Sequence, residues 1–278
     1  MDNSPEHSVL HGADTLRHEP TLTHAPSAGA VSMSPELFEK LYLTPKVVRA
    51  GDNIKRFANP TPLGFIGFVI SAMTFSMVLM GWGGASGLTP VVGIFFFVGP
   101  VLLLLTCVFE WIMGNFFPMM ACGVLAVFWL SFGMLQLPTL NLAAPYTSAD
   151  SSPAGALSTG FNAVIALYLV VWGFAILTFL VLSIRTNLVF VLIFLSVTVG
   201  CWVLSGAYWK LSTGDYGMAG QLQKAGGALI FVAGALAWYM TVAMMAAELQ
   251  YSVYLPVGDL SHLFKPPGTG ARKADEEA

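Results

Sequence analysis

The ionisable residues in the apolar part of this chain are too few and too scattered to build a catalytic site. No histidine occurs between Phe57 and Ala247, no two carboxylates share a helical face there, and no glycine-rich phosphate loop or nucleophile motif is present. Hydrolases, oxidoreductases and metal sites need such clusters. The sequence therefore predicts a protein that is not an enzyme and that needs no metal or other cofactor. The charged residues of this stretch are Glu110, Asp150, Arg185, Lys210, Asp215 and Lys224.

Glu110 is the acidic residue at the edge of an apolar segment, and two interpretations of it stay open. An ionisable group at membrane depth is costly and is taken as functional by default, so Glu110 is a candidate for proton coupling. It is equally a candidate structural residue at the headgroup level, where it caps the second apolar segment or pairs with Arg185. The sequence leaves both a coupling acid and a structural acid as hypotheses.

The stretch Asn59-Pro60-Thr61-Pro62-Leu63-Gly64 precedes and opens the first apolar segment. Pro60 and Pro62 lack an N–H and have a fixed φ, so the helix cannot begin upstream of them. Asn59 is a good N-cap residue, and Pro62 fits a first helical turn, where its missing donor costs nothing. The free N–H groups of a helix N-terminus favour an anion. The N–H groups at this helix start are therefore candidates to face a small anion.

Six apolar segments reach the roughly 20 residues that a helix needs to span a bilayer. The chain is 56% hydrophobic and 10% charged, whereas about a quarter of the residues in soluble proteins are charged. These features predict an all-α, polytopic membrane protein, with a kink at Pro100 in the second segment. The predicted segments are Leu63–Trp82, Val91–Phe109, Phe116–Leu137, Gly160–Leu182, Leu188–Trp209 and Ala225–Ala247.

The positive residues predict how these segments are oriented, because Lys and Arg accumulate on the cytosolic side. Both termini are then cytosolic, and no basic patch suits nucleic acid. We predict a disordered cytosolic tail over residues 1–56 with an interfacial helix near 35–48, a membrane domain over 57–261, and a cytosolic tail over 262–278. The residues that set the orientation are Lys46, Arg49, Lys55, Arg56, Arg185, Lys265, Arg272 and Lys273.

A series of short motifs follows the Asn59–Gly64 stretch in a fixed order. They are Glu110 with Gly114-Asn115 and Phe117, Phe128-Trp129, Tyr168-Leu169 with Trp172-Gly173, Ser183-Ile184-Arg185, Ala225-Gly226, Ala237-Trp238-Tyr239 and Leu255-Pro256-Val257-Gly258-Asp259. In these residues the chain resembles the acetate uptake transporter family, the YaaH-type acetate/succinate permeases, over residues 57–261. The long polar N-terminal tail is similar to that of fungal members.

The resemblance implies a homohexamer of six-helix protomers, each with its own pore in the lipid bilayer. It also implies passage of acetate and related short monocarboxylates together with protons, at the plasma membrane or an internal membrane. In the family, the Asn-Pro motif helps form the substrate path, and a Phe, a Leu and a Tyr form the narrowest point. By spacing, the Phe is Phe68, while Val197 occupies the Leu position and Leu125 the Tyr position. Ala237 and Tyr239 are further candidates for the pore lining.

The chain departs from the family pattern at the predicted constriction. A constriction of Phe68, Leu125 and Val197 is wider and lacks a hydroxyl, and Leu103 replaces a glutamine of the second helix. Loss of one hydrogen-bond donor from a buried anion path costs about 1–3 kcal/mol. We therefore predict that monocarboxylates still pass, with a weaker preference for acetate and room for longer acids.

The same departures keep a second class of function open. A non-transporting sensor or scaffold of the same fold would not need the missing Tyr and Gln, and a polar tail rich in Ser and Thr suits modification. Export of ammonium or of acid is a further alternative. Measurement of flux separates these hypotheses from uptake of acetate.

Overall fold

The computed structural model describes residues 57–147, 155–252 and 255–260. The tails predicted at residues 1–56 and 262–278, and the interfacial helix near 35–48, lie outside these ranges.

Six helices long and apolar enough to cross a membrane make up most of the described chain, which contains no named strand. The predicted all-α membrane fold is therefore confirmed, and five of the six predicted segments agree closely with the membrane spans, the second of which is Thr89–Met113. The six α-helices are α1 Thr61–Met80, α2 Gly99–Met113, α3 Phe116–Leu135, α4 Thr159–Ser183, α5 Leu188–Ser212 and α6 Tyr216–Glu248. Short 3-10 turns lie at Trp82–Gly84, Thr89–Val91, Pro138–Leu140, Ala144–Tyr146 and Gly155–Leu157.

Helix α6 is longer than the sequence indicated. It begins at Tyr216, whereas the apolar pattern predicted a start at Ala225. The carboxylate of Asp215 caps the helix by accepting a hydrogen bond from Met218 N at 3.1 Å. The extra turns contain Gln221 and Lys224, which form helices readily although they are polar. Hydropathy alone finds the part of a helix that can lie in lipid, and it misses a capped polar extension.

The start of helix α1 differs by one residue from the prediction. The N-cap is Pro60, which makes no side-chain cap hydrogen bond. Asn59 lies one position earlier, and its Oδ1 accepts a hydrogen bond from Thr61 N at 3.0 Å. Pro62 lies in the first turn, as predicted. The Asn59 side chain therefore satisfies the first N–H of the helix from outside the cap position.

A kink was predicted at Pro100, and the helix is irregular in the turn just before this residue. Residues Ile94–Val98 form a π-helical turn, which ends where Gly99 N donates to Ile94 O. Pro100 follows in the first turn of α2, where a missing N–H is tolerated. The hydroxyl of Ser71 on helix α1 donates to the same Ile94 carbonyl at 3.3 Å. The second membrane span, Thr89–Met113, thus combines this π turn with helix α2.

Helices α1 and α6 pack against each other, and from this pair the contacts run through α2 to α3 and through α5 to α4. Glycines allow the closest approaches. A Cβ on Gly234 of α6 would lie 2.7 Å from Met73 Cγ of α1, and a Cβ on Gly173 of α4 would overlap the indole of Trp202 on α5. A larger residue at these positions requires the neighbouring side chain or helix to move.

The segment Leu255–Leu260 closes the end of the bundle at which helices α1, α3 and α5 begin. Leu188 N donates to Gly258 O at 2.8 Å, and Leu260 N donates to Thr186 O at 3.2 Å. Val257 is buried. The segment therefore lies across the turn that joins α4 to α5.

Replacement of Gly173 by alanine should destabilise the bundle, because the new methyl group needs the space that Trp202 fills. Overpacking of this kind costs about 1–3 kcal/mol, so we expect a lower melting temperature for the detergent-solubilised protein. Gly220→Ala is the matched control: Gly220 also lies inside a helix, but a Cβ there meets nothing within 4 Å. The control should gain about 0.5–1 kcal/mol of helix stability. Equal melting temperatures for the two variants would contradict the close packing at Gly173.

Candidate functional site

Two apolar cavities lie inside the bundle. The first has a free volume of about 40 Å³ and lies among the early turns of α1, α3 and α5. The second has a free volume of about 30 Å³ and lies deeper, where α4 and α6 also contribute. A single water needs about 10–15 Å³, so each cavity has room for a solute of a few heavy atoms. The first is lined by Gly64, Phe65, Phe68, Leu103, Phe117, Pro118, Ala121, Cys122, Leu125, Phe190, Ile193, Phe194 and Val197. The second is lined by Phe68, Phe75, Leu125, Phe128, Trp129, Phe132, Leu169, Trp172, Ile176, Val197, Cys201, Leu204 and Ile230.

Three residues line both cavities, and they are Phe68, Leu125 and Val197. They come from α1, α3 and α5, so three different helices bring them together. Phe68 and Val197 are buried, and Leu125 is half-buried. These are the residues that the resemblance assigned to the pore constriction. Their position between the two cavities is an observation, and their role in limiting passage stays a prediction.

The cavities differ from an ordinary polar binding site in the side chains that surround them. Around the first cavity, the Phe117 ring packs edge-on against Phe190 and Phe194, with centroids 6.0 and 5.9 Å away. Around the second, Phe75 packs edge-on against Phe132 at 5.6 Å. Edge-to-face aromatic contacts of this kind fix ring positions. The cavity walls are therefore preformed and apolar.

The proline stretch meets the first cavity at a single residue, and its role in a substrate path stays a prediction. Gly64 is its one residue that lines the first cavity, and Leu63 is exposed on the outside of the bundle. Thr61 N donates to Asn59 Oδ1, Leu63 N donates to Pro60 O, and Pro62 has no N–H. The first three residues of the helix therefore offer no free N–H to an anion.

The stretch is instead held in place from helix α2. The hydroxyl of Thr106 donates to Pro60 O at 3.2 Å, and a Cβ on Gly64 would lie 3.0 Å from Thr106. Thr61 is fully buried, and its hydroxyl donates to the carboxylate of Glu110. These contacts fix the start of α1 against α2 and so orient the face of α1 that carries Gly64 and Phe68.

Glu110 is the centre of this buried polar network. Its side chain is fully buried. One carboxylate oxygen accepts from Thr61, and the other accepts from Asn115 Nδ2 at 2.7 Å. Its backbone carbonyl also accepts from Asn115 N at 2.9 Å. Glu110 thus joins the start of α1 to the turn between α2 and α3. Sequence reasoning did not assign roles to Thr106 and Asn115, although polar residues within or directly after an apolar segment were a signal that could have found them.

The two candidates on helix α6 border neither of these cavities. Ala237 is fully buried, and its carbonyl accepts a hydrogen bond from the Thr241 hydroxyl at 2.8 Å. The Tyr239 hydroxyl donates to Pro256 O at 2.7 Å. Ala237 therefore lies in helix packing, and Tyr239 anchors the closing segment. Among the described residues no group of three or more His, Cys, Asp or Glu side chains could hold a metal ion.

The chain is similar to known proteins in both sequence and structure. Protein alcS of Aspergillus fumigatus is 42% identical over 260 residues, which cover 91% of this chain and 95% of that protein. The acetate transporter protein patA of Penicillium expansum is 31% identical over 211 residues, which cover 76% of this chain and 81% of that protein. The solved structure of the bacterial acetate channel SatP matches 73% of this chain and 100% of its own, with a TM-score of 0.57 and 22% identity.

The likeness to SatP shows the fold, and the two relatives match most of the chain in sequence. The sequence profile of the GPR1/FUN34/yaaH family matches residues 43–262. This confirms the resemblance drawn from the Asn59–Gly64 stretch and the motifs after it. The chain belongs to the GPR1/FUN34/yaaH family.

Proposed function

We propose that this protein transports acetate and related short monocarboxylates across a membrane, and that it catalyses no reaction. Two similar proteins support this proposal: patA of Penicillium expansum is named an acetate transporter, and SatP is named an acetate channel. The observation that carries it is the pair of small apolar cavities that meet at Phe68, Leu125 and Val197. A solute that passes from one cavity to the other leaves water and moves between these three apolar side chains.

The size and polarity of the two cavities select the solute. A few heavy atoms fit each cavity, and an apolar constriction favours a small solute that sheds its water easily. A protonated acid crosses such a constriction at lower cost than its anion, because burial of an unpaired charge is expensive. Transport coupled to protons follows from this difference, so we include proton coupling in the proposal.

The orientation and the assembly belong to the same proposal. Positive residues before α1 and after α4 favour an orientation with both termini in the cytosol. Six spans are consistent with that placement, because an even number returns the chain to its starting side. The outer faces of the helices carry many exposed apolar side chains, such as Val171, Phe174 and Trp111. Lipid and neighbouring protomers of a hexamer would cover these faces.

Leu125→Tyr should shift the preference of the transporter toward the smallest acids. The larger phenol narrows the junction of the two cavities and adds a hydroxyl that binds a carboxylate. In proteoliposomes we expect uptake of labelled butyrate to fall more than uptake of acetate. Leu167→Tyr is the matched control, because Leu167 is 55% exposed on helix α4. Strong preference of the wild type for acetate over butyrate, unchanged by Leu125→Tyr, would overturn the assignment of the constriction. Zero flux of every acid through assembled wild-type protein would favour a sensor or scaffold.

Glu110 variants separate a structural acid from a coupling acid. Glu110→Ala removes the acceptor of Thr61 and Asn115, and hydrogen bonds to charged groups contribute about 1.5–3 kcal/mol each. We expect a clear loss of thermal stability, whereas Glu248→Ala, at an exposed glutamate, should have little effect.

Glu110→Gln retains one acceptor oxygen and a donor for the Thr61 hydroxyl, so most of the stability should return. We expect the Gln variant to keep the dependence of uptake on external pH. Loss of that dependence in a variant that is stable and still transports would assign proton coupling to Glu110 and contradict a purely structural role.

A further inference from the structure

The side chains around the two cavities offer no group that could hold an ion. Among the described residues that line them, none carries a carboxylate, an ammonium or guanidinium group, an imidazole, a hydroxyl or a side-chain amide. The polar exceptions are two thiols and two indoles, from Cys122, Cys201, Trp129 and Trp172. A thiol is only a weak hydrogen-bond donor.

The two indoles do not supply a binding group either. Trp172 packs against Tyr168, with ring centroids 6.1 Å apart, and Tyr168 lines neither cavity. Trp129 Nε1 has no hydrogen-bond partner in the described part of the chain, but the ring edge that carries it lies against Gly99. A Cβ on Gly99 would be 3.1 Å from the adjacent Cδ1. We therefore assign neither indole a hydrogen bond to a solute.

The candidate coupling acid also lies outside the two linings. Glu110 accepts hydrogen bonds from Thr61 and Asn115, and none of these three residues borders either cavity. A carboxylate that entered the cavities would therefore be buried without an ionic partner, which is a very large penalty. Protonation in water is a much smaller one, because the neutral fraction of an acid falls only about tenfold for each pH unit above its pKa.

We propose that solutes pass the junction of Phe68, Leu125 and Val197 in uncharged form, and that the protein therefore also transports small neutral carboxamides such as acetamide. This inference rests on the proposed function and deepens it, because it names the permeating form of the acid and a second class of substrate. The proton crosses on the oxygen of the acid itself and is released to water on the other side. Acetamide has the planar shape and the heavy-atom count of acetic acid, and an apolar wall rejects an isostere only weakly.

Stopped-flow measurements on proteoliposomes of the full-length protein test both classes of substrate. Protein-free vesicles of the same lipid give the background, which is subtracted because both solutes also cross lipid. We expect acetamide permeability above this background, with equal values at about pH 6 and about pH 8, since the amide does not titrate there. At constant total acetate, the uptake of acetate should fall about a hundredfold over the same two pH units. Glycine, which is of similar size but charged at both ends, should stay at background.

Variants at the junction show whether the two solutes share one route. Val197 lines both cavities and is 8% exposed, whereas Val199 lies on the same helix, lines neither cavity and is 36% exposed. Val197→Phe narrows the junction, so the fluxes of acetate and acetamide should fall by about the same factor. Val197→Ala widens it and should raise both fluxes. Val199→Phe is the matched control and should leave both unchanged.

The outcomes separate this inference from the proposed function. Acetate flux with acetamide at background overturns the inference and leaves transport of monocarboxylates standing, and so does acetate flux that keeps its rate as the pH rises. Acetamide flux without acetate flux supports passage of neutral solutes and overturns transport of acids. Acetamide flux that neither Val197 variant changes also overturns the inference, because that solute then bypasses the junction. Flux of neither solute overturns both.

Discussion

A buried carboxylate is the constraint on which the arrangement of this bundle depends. Glu110 is fully buried, and a carboxylate in such a place is stable only when hydrogen-bond donors surround it. The Thr61 hydroxyl and the Asn115 amide supply two of these donors from two different segments. The chain can satisfy Glu110 only if the start of α1 and the turn between α2 and α3 meet at one place. A polar requirement of one residue thus fixes the relative positions of three helices.

That arrangement decides which side chains face the interior. Helices α1 and α3 begin beside the Glu110 network, and α5 begins at the same end of the bundle, where its Phe190 ring lies 5.5 Å from that of Phe65. Along these three helices, which run in the same direction, Phe68, Leu125 and Val197 reach the same depth and line both cavities. The junction is therefore a consequence of helix register. Any change that slides α1 along α2 would separate these three residues.

Much of the fold follows from hydropathy, because each membrane helix must satisfy its own backbone hydrogen bonds and present apolar side chains to lipid. That requirement is local, so the predicted segment Leu188–Trp209 identifies the helix Leu188–Ser212 to within three residues. The start of α6 shows the limit of the method: Asp215 caps two polar turns that hydropathy does not detect. The π turn before Pro100 also lies beyond hydropathy, since a proline predicts an irregular helix but not the form of the irregular turn.

The sequence by itself determined the class of protein, the number of membrane helices and the family motifs, and the resemblance to the family pointed to the three junction residues. Composition and motif spacing carry that information, because they depend on residues that are close in the chain. The tertiary structure decided which contacts the residues of these motifs make. It showed that the N–H groups at the start of α1 are used by Asn59 and Pro60, and that Glu110 binds Thr61, which lies 49 residues away along the chain. It also showed that the Trp129 N–H lacks a partner. Hydrogen bonds between distant segments depend on how helices pack, and no local pattern records that packing.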